Sequence, residues 1–210
     1  MDNLIDLPTG LKNVNSVIRE NSLKRGNDFP FSGIWIFSGA QGSGKTLTLF
    51  HFVREIMSLY PDCLIISNIS IFGVPCIPYK GIEDFALYNN GSKGIIFIID
   101  EIHTLFNSLE SAKLPLSTVQ VWSQNRKNRR LILGTSQRFN RISKPIREQT
   151  TWNFFCVRPL FNLIYSYTVY DGSLYDDSGR YIGEDPKRHF YIPSVNVMRM
   201  YNTLEVVSRE

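Results

Sequence analysis

Two short stretches of this 210-residue chain carry side chains suited to phosphate chemistry. The first is Gly39-Ala40-Gln41-Gly42-Ser43-Gly44-Lys45-Thr46, which satisfies the phosphate-loop spacing G-x-x-x-x-G-K-[ST]. Its glycines permit backbone conformations closed to other residues, so successive N–H groups can turn inward around an anion. Lys45 is then placed to reach the β- and γ-phosphates of a nucleoside triphosphate such as ATP. The Thr46 hydroxyl is placed to ligate a magnesium ion that bridges them. The second stretch is Asp100-Glu101, two adjacent carboxylates directly after the apolar run Ile95 to Ile99. Asp100 is expected to hold the magnesium ion through its water shell, and Glu101 to accept a proton from an attacking water. Gln137 follows a third apolar run, Leu131 to Thr135, and its amide is a candidate sensor of the γ-phosphate or that water. Each has a plain alternative: a glycine-rich turn, an acidic strand end, a polar strand cap. Their order along the chain favours the chemical reading.

The elements that must position these residues are legible around them. Gly33 to Ser38 reads as an apolar strand, and the segment after the loop as a helix whose buried face is Leu49, Val53, Ile56 and Tyr60. Cys63 to Ser67 and Leu131 to Thr135 read as short buried strands. Ile95 to Ile99 is apolar without alternation, as expected for a parallel strand covered on both faces. Carboxylates at its C-terminal end would lie on the sheet edge where ligands bind in doubly wound folds. A short helix is expected over Gly81 to Asn89 and a longer one over Leu114 to Asn128. Trp152 to Val157 and Phe161 to Tyr170 are aromatic and β-branched runs that read as a hairpin, with a further strand over Arg188 to Ile192. The fold class is therefore α/β: a mainly parallel sheet flanked by helices, with C-terminal β-hairpin additions. Three regions are expected: an arm over residues 1–32 with a helix near 11–23, a nucleotide-binding core over 33–158, and a β-rich extension and tail over 159–210.

The totals narrow the classes. Hydrophobic residues make up 43% of the chain, enough for a real core, and the net charge of +4 is compatible with a polyanionic partner without establishing one. Cys63, Cys76 and Cys156 are scattered and odd in number, which argues against a disulfide framework or a zinc pair. His51, His103 and His189 lack metal-ligand spacing and read as packing or surface residues. No signal peptide is evident, and no run approaches the roughly 18 apolar residues of a membrane span, so a soluble cytoplasmic protein is expected. Basic residues concentrate at Arg126, Lys127, Arg129, Arg130, Arg138, Arg141, Lys144 and Arg147. Such a run can be a solvated face or a localisation signal; it can also supply an arginine to a neighbour's γ-phosphate or contact nucleic-acid phosphates.

GAQGSGKT, IIFIIDE, NRKNRR, LILGTSQRF and ISKPIREQT, in that order, resemble the ATPases of the FtsK-HerA superfamily. Within it the likeness is to viral genome-packaging motors and to the zonula occludens toxin-like (Zot) assembly proteins of filamentous phages. The resemblance covers about Gly33 to Thr151. It implies a RecA-like sheet, a ring of subunits (a hexamer) with ATP and Mg2+ at the boundaries, and DNA and a capsid or portal-vertex protein as partners. Carried over by position, Lys45 and Thr46 bind phosphate and magnesium, Asp100 magnesium, Glu101 is the catalytic carboxylate, and Gln137 matches the glutamine after the second Walker motif. Arg126 best matches the arginine that acts in trans, with Arg129 and Arg130 close enough to compete. Arg129, Arg130, Arg138 and Arg141 are the candidate DNA contacts. Zot-like proteins usually continue into a transmembrane segment and a further domain. Neither is found in this chain, which favours a soluble packaging motor, in the host cytoplasm or virion-associated, over an assembly or secretion ATPase acting on protein at a membrane.

Overall fold

The computed structural model describes residues 28–104 and 125–200, without 126, 162, 177 and 187 and without the side chains of 158 and 159. Eight strands form one sheet: β1 (Gly33–Ser38), β2 (Leu64–Ser67), β3 (Ile77–Pro78), β4 (Ile95–Ile99), β5 (Arg130–Ser136), β6 (Thr150–Leu160), β7 (Ile164–Asp171) and β8 (Arg188–Tyr191). Their order across the sheet is β3-β2-β4-β5-β1-β6-β7-β8. The first six are parallel; β7 and β8 add on in antiparallel sense. This is the RecA-like P-loop NTPase arrangement with C-terminal antiparallel strands.

The apolar runs are buried because the sheet is covered on both faces. Every residue of β4 and β5 is buried. Alternate side chains feed two cores. Trp35, Phe37, Ile96, Ile98, Leu131 and Leu133 face helix α1 (Lys45–Leu59) and the short α4 (Val195–Arg199). Ile34, Ile36, Ile95, Phe97, Ile99 and Ile132 face α2 (Asp84–Leu87), the turn Phe139–Arg141 and α3 (Lys144–Arg147). Helix α1 buries Phe50 and Phe52 as well as Leu49, Val53 and Ile56. Phe52 reaches Trp35, Phe37, Phe154 and Tyr167, so α1 is seated across the centre of the sheet by aromatic contacts.

Asp28 to Phe31 belong to the body of the protein: Phe29 and Phe31 are buried edge-to-face against Tyr60, and Arg129 Nη2 pairs with Asp28 Oδ2 at 2.8 Å. The boundary expected at 158/159 falls inside β6, which pairs with β7 from Trp152 to Leu160, so the extension continues the sheet. Phe161 occupies the hairpin turn at φ 52, and β7 starts only at Ile164. The helices expected over 11–23 and 114–128 lie outside the described residues, except that Asn125 and 127–129 form a turn into β5.

Gly94 precedes β4 at φ +71, and a Cβ there would collide with the Phe29 ring. The Gly94→Ala variant is expected to lose about 1–3 kcal/mol in urea unfolding, through backbone strain and the displaced ring. Two imidazoles make the fold acid-sensitive. His51 stacks on Tyr191 and His189 lies against Tyr167, and burial lowers both pKa values from 6.5. The unfolded chain then binds more protons, so this contribution is complete above pH 6.5 and is lost as pH falls through that value toward the folded-state pKa. The His51→Phe variant, which keeps a ring on Tyr191, is expected to lose less stability than the parent on going from about pH 7 to about pH 5, read as the shift in urea midpoint.

Candidate nucleotide site

The glycine-rich loop joins β1 to α1. Gly44 caps the helix at φ 81 with no side-chain cap, and no acidic residue lies in the first turn, so the helix N-terminus is open to an anion. Gly44 is required for a second reason, since a Cβ there would strike the Tyr165 ring from β7. Gly39 is likewise pressed against the Cys156 carbonyl of β6 and the Ser43 hydroxyl. Lys45 is buried and its Nζ donates to Ala40 O at 3.1 Å across the loop. The Ser43 hydroxyl is buried without a hydrogen-bond partner. An unpaired hydroxyl, a folded-back ammonium and an uncapped helix end around one cradle fit a polyphosphate.

The carboxylates stand beside this loop because β5 separates β4 from β1 and brings its own tip between them. Asp100 Oδ1 accepts from Thr135 Oγ1 at 2.7 Å and from Thr46 Oγ1 at 3.3 Å. Asn68, at the end of β2, accepts from Asp100 N at 2.8 Å and donates to Asp100 O at 3.0 Å. Thr46 and Asp100 thus already share a contact, and this hydroxyl–carboxylate pair suits a hard divalent cation. Glu101 adopts φ 52, a left-handed conformation costly for a non-glycine residue. It is held there by Glu101 N donating to Thr135 Oγ1 at 2.8 Å, and by its carbonyl accepting from Thr104 N and Oγ1 at 2.8 and 2.9 Å.

The basic run divides between opposite sheet edges. Gln137, Arg138 and Arg141 are exposed at the tip of β5, on the loop's side, where Arg141 Nη1 donates to Gln137 Oε1 at 3.1 Å. Arg129 and Arg130 lie at the other end of β5, about 20 Å away at 3.3 Å per residue. Arg130 is 4% exposed and donates to Tyr88 O at 3.2 Å, and burial lowers its pKa. A buried guanidinium cannot meet a DNA backbone or a neighbour's phosphate, which corrects the expectation for Arg130. Arg129 is spent on Asp28 and on Phe29 O, so it too supports the fold. Arg126 lies outside the described residues.

Other residues at the site carry little sequence signal. Asn68 and Thr135 look like ordinary strand-end polar residues until the sheet aligns them with Asp100. His103, expected as packing or surface, has Nδ1 3.1 Å from Glu101 Oε2 and 3.4 Å from Ser136 Oγ. Ser38 and Tyr175 both bind the buried Asn153 of β6, at 2.7 Å each, tying the end of β1 to the hairpin strands. Burial pushes the Cys156 thiol up to about 12, so beneath the loop it stays protonated and unreactive.

Fold and site together define a P-loop ATPase. Residues 35–156 match the ATPase family associated with various cellular activities (AAA), and the chain belongs to that family. Among curated proteins it is 31% identical over 136 residues to the Holliday junction branch migration complex subunit RuvB of Wolinella succinogenes. That match takes in 57% of this chain and 36% of the relative, so the chain spans about a third of RuvB's length. Among solved structures it is similar to the N-terminal domain of zonular occludens toxin from Neisseria meningitidis. The TM-score there is 0.60 at 15% identity, covering 81% of this chain and 99% of that one. It is also similar to the genome packaging NTPase B204 of Sulfolobus turreted icosahedral virus 2 in complex with ATP-gammaS, with TM-score 0.52 and 14% identity over 77% and 98% of the two chains. At these identities the two structures speak for the shared fold. Among the described residues, no helix is long and apolar enough to cross a membrane.

Two substitutions separate the roles at the site. Glu101→Gln is expected to keep the affinity for a fluorescent ATP analogue while kcat falls by at least about 10²-fold, as for loss of a general base. Normal turnover in that variant would remove Glu101 from the chemistry. Asn68→Ala, which frees the Asp100 peptide, is expected to lower kcat by roughly 10-fold, with a smaller effect on nucleotide affinity.

Proposed function

We propose that this protein is an ATP-driven DNA translocase of the genome-packaging kind within the FtsK-HerA group, working as a homo-oligomeric ring, a hexamer, with nucleotide at the subunit boundaries. The observation that carries the proposal is the strand order. Placing β5 between the P-loop strand and the Asp100-Glu101 strand sets Gln137, Arg138 and Arg141 on the nucleotide edge, so that one strand tip can sense ATP and present cations outward. B204, a packaging NTPase whose length is almost wholly matched, supports the same direction.

In the mechanism, the loop N–H groups, Ser43 and Lys45 bind and orient the β- and γ-phosphates. Thr46 and Asp100 would hold Mg2+, which when bound neutralises charge on the phosphate oxygens. Glu101 orients the attacking water and takes its proton, and Gln137 turns from Arg141 toward the γ-phosphate. An arginine from the adjacent subunit, Arg126 by position, stabilises charge on the transferring phosphoryl group. Arg138 and Arg141 contact the DNA backbone without reading bases. The capsid or portal vertex is the docking partner, and the protein works in the host cytoplasm or on the virion.

A second reading, an assembly or secretion ATPase acting on protein, is favoured by the match to the zonular occludens toxin domain along nearly its full length. Steady-state ATP hydrolysis with and without double- and single-stranded DNA, at two salt concentrations, separates the two. A translocase is expected to show DNA stimulation that weakens with salt, and Arg138→Ala/Arg141→Ala is expected to lower the salt slope by about 2. Hydrolysis indifferent to every nucleic acid would transfer the assignment to the protein-directed ATPase.

A further inference from the structure

His103 is the one buried imidazole that reaches the Glu101 carboxylate among the described residues, and the phosphate-binding chemistry does not use it. It sits in the helical turn 102–104 immediately after the strained Glu101, and the Thr104–Glu101 hydrogen bonds fix that turn. Ser136 Oγ donates its proton to Arg138 O at 2.9 Å, so toward His103 it can only accept. With the ring proton on Nδ1, that nitrogen donates to Ser136 Oγ at 3.4 Å. The same nitrogen lies 3.1 Å from Glu101 Oε2, but that oxygen is buried and receives no aligned hydrogen bond. One N–H thus stands between two acceptors, aligned with the tip of β5 and out of line with the carboxylate.

We propose that His103 is a positioning residue for Glu101: a rotation of its ring carries the Nδ1 proton from Ser136 to Glu101 Oε2, fixing one carboxylate oxygen while the other faces the attacking water. Ser136 Oγ is held by Arg138 O, so a turn of the exposed Gln137-Arg138 segment on nucleotide binding loosens the Ser136 hydroxyl and releases the imidazole to the carboxylate, with β5 itself in place. The device couples occupancy of the site to the geometry of the base. A buried carboxylate oxygen left without a donor is costly, which supplies the drive for the rotation once the Ser136 hydroxyl turns away. The inference rests on the reading of Glu101 as the base.

Three variants test it in the intact chain. Asparagine places its amide N–H where Nδ1 stands, whereas leucine fills the space without a donor. His103→Leu is expected to lower kcat for ATP by about 10–100-fold with KM and fluorescent-nucleotide affinity within about 2-fold, and His103→Asn to recover most of that loss. In a Glu101→Gln background, His103→Leu is expected to add no further loss, because the positioned group is already gone. The proposal is overturned if leucine and asparagine behave alike, whether both impaired or both normal, or if the loss persists undiminished in the Glu101→Gln background. Full turnover in Glu101→Gln alone is a different failure, that of the base assignment itself.

Discussion

The Asp100 peptide and carboxylate hold together three strand ends and the phosphate loop. The backbone N–H and C=O of Asp100 are both taken by Asn68, the residue after β2, and its Oδ1 receives hydroxyls from Thr135 of β5 and Thr46 of α1. Thr135 Oγ1 in turn accepts from the Glu101 N–H, so Asp100 and Glu101 are oriented by a single β5 side chain. The unusual φ of Glu101 persists because these bonds over-determine it, and it turns the chain into the helical turn 102–104 rather than onward along the strand.

That arrangement needs a rigid platform, and the two-sided sheet provides one. β4 and β5 are buried along their whole length, so their tips cannot shift without disturbing both cores. The C-terminal strands contribute directly: β6 presses its Cys156 carbonyl on Gly39, and β7 lays Tyr165 on Gly44. The hairpin is therefore part of the wall of the nucleotide cradle. Thr48 of α1, bonded to Tyr191 of β8 at 2.8 Å, extends the same connection to the last strand.

The phosphate loop, the paired carboxylates and the apolar runs were legible because each is local. Glycines at fixed spacing before Lys45, or five apolar residues before Asp100, have the same meaning in any chain whose strand and helix surround them. The division of the basic run was not legible. Arg129 and Arg130 stand in sequence beside Arg126 and Lys127, but β5 begins at Arg130 and runs away from them, so its first residue is buried at one edge while Arg138 is exposed beyond the other. His103 escaped for a related reason: nothing in Glu-Ile-His distinguishes a packing histidine from one that reaches back, since the left-handed Glu101 sets its direction.

The sequence by itself determined the α/β class and the P-loop ATPase character, because the motifs consist of contiguous residues that act through their own backbone. Only the tertiary structure decided the company those residues keep. Asn68, His103, Thr135 and Tyr165 come from separate strands and turns, and they meet at Asp100, Glu101 and Gly44 through the order of strands in the sheet. That order follows from burying two apolar faces at once, a constraint on the whole chain that no single segment carries.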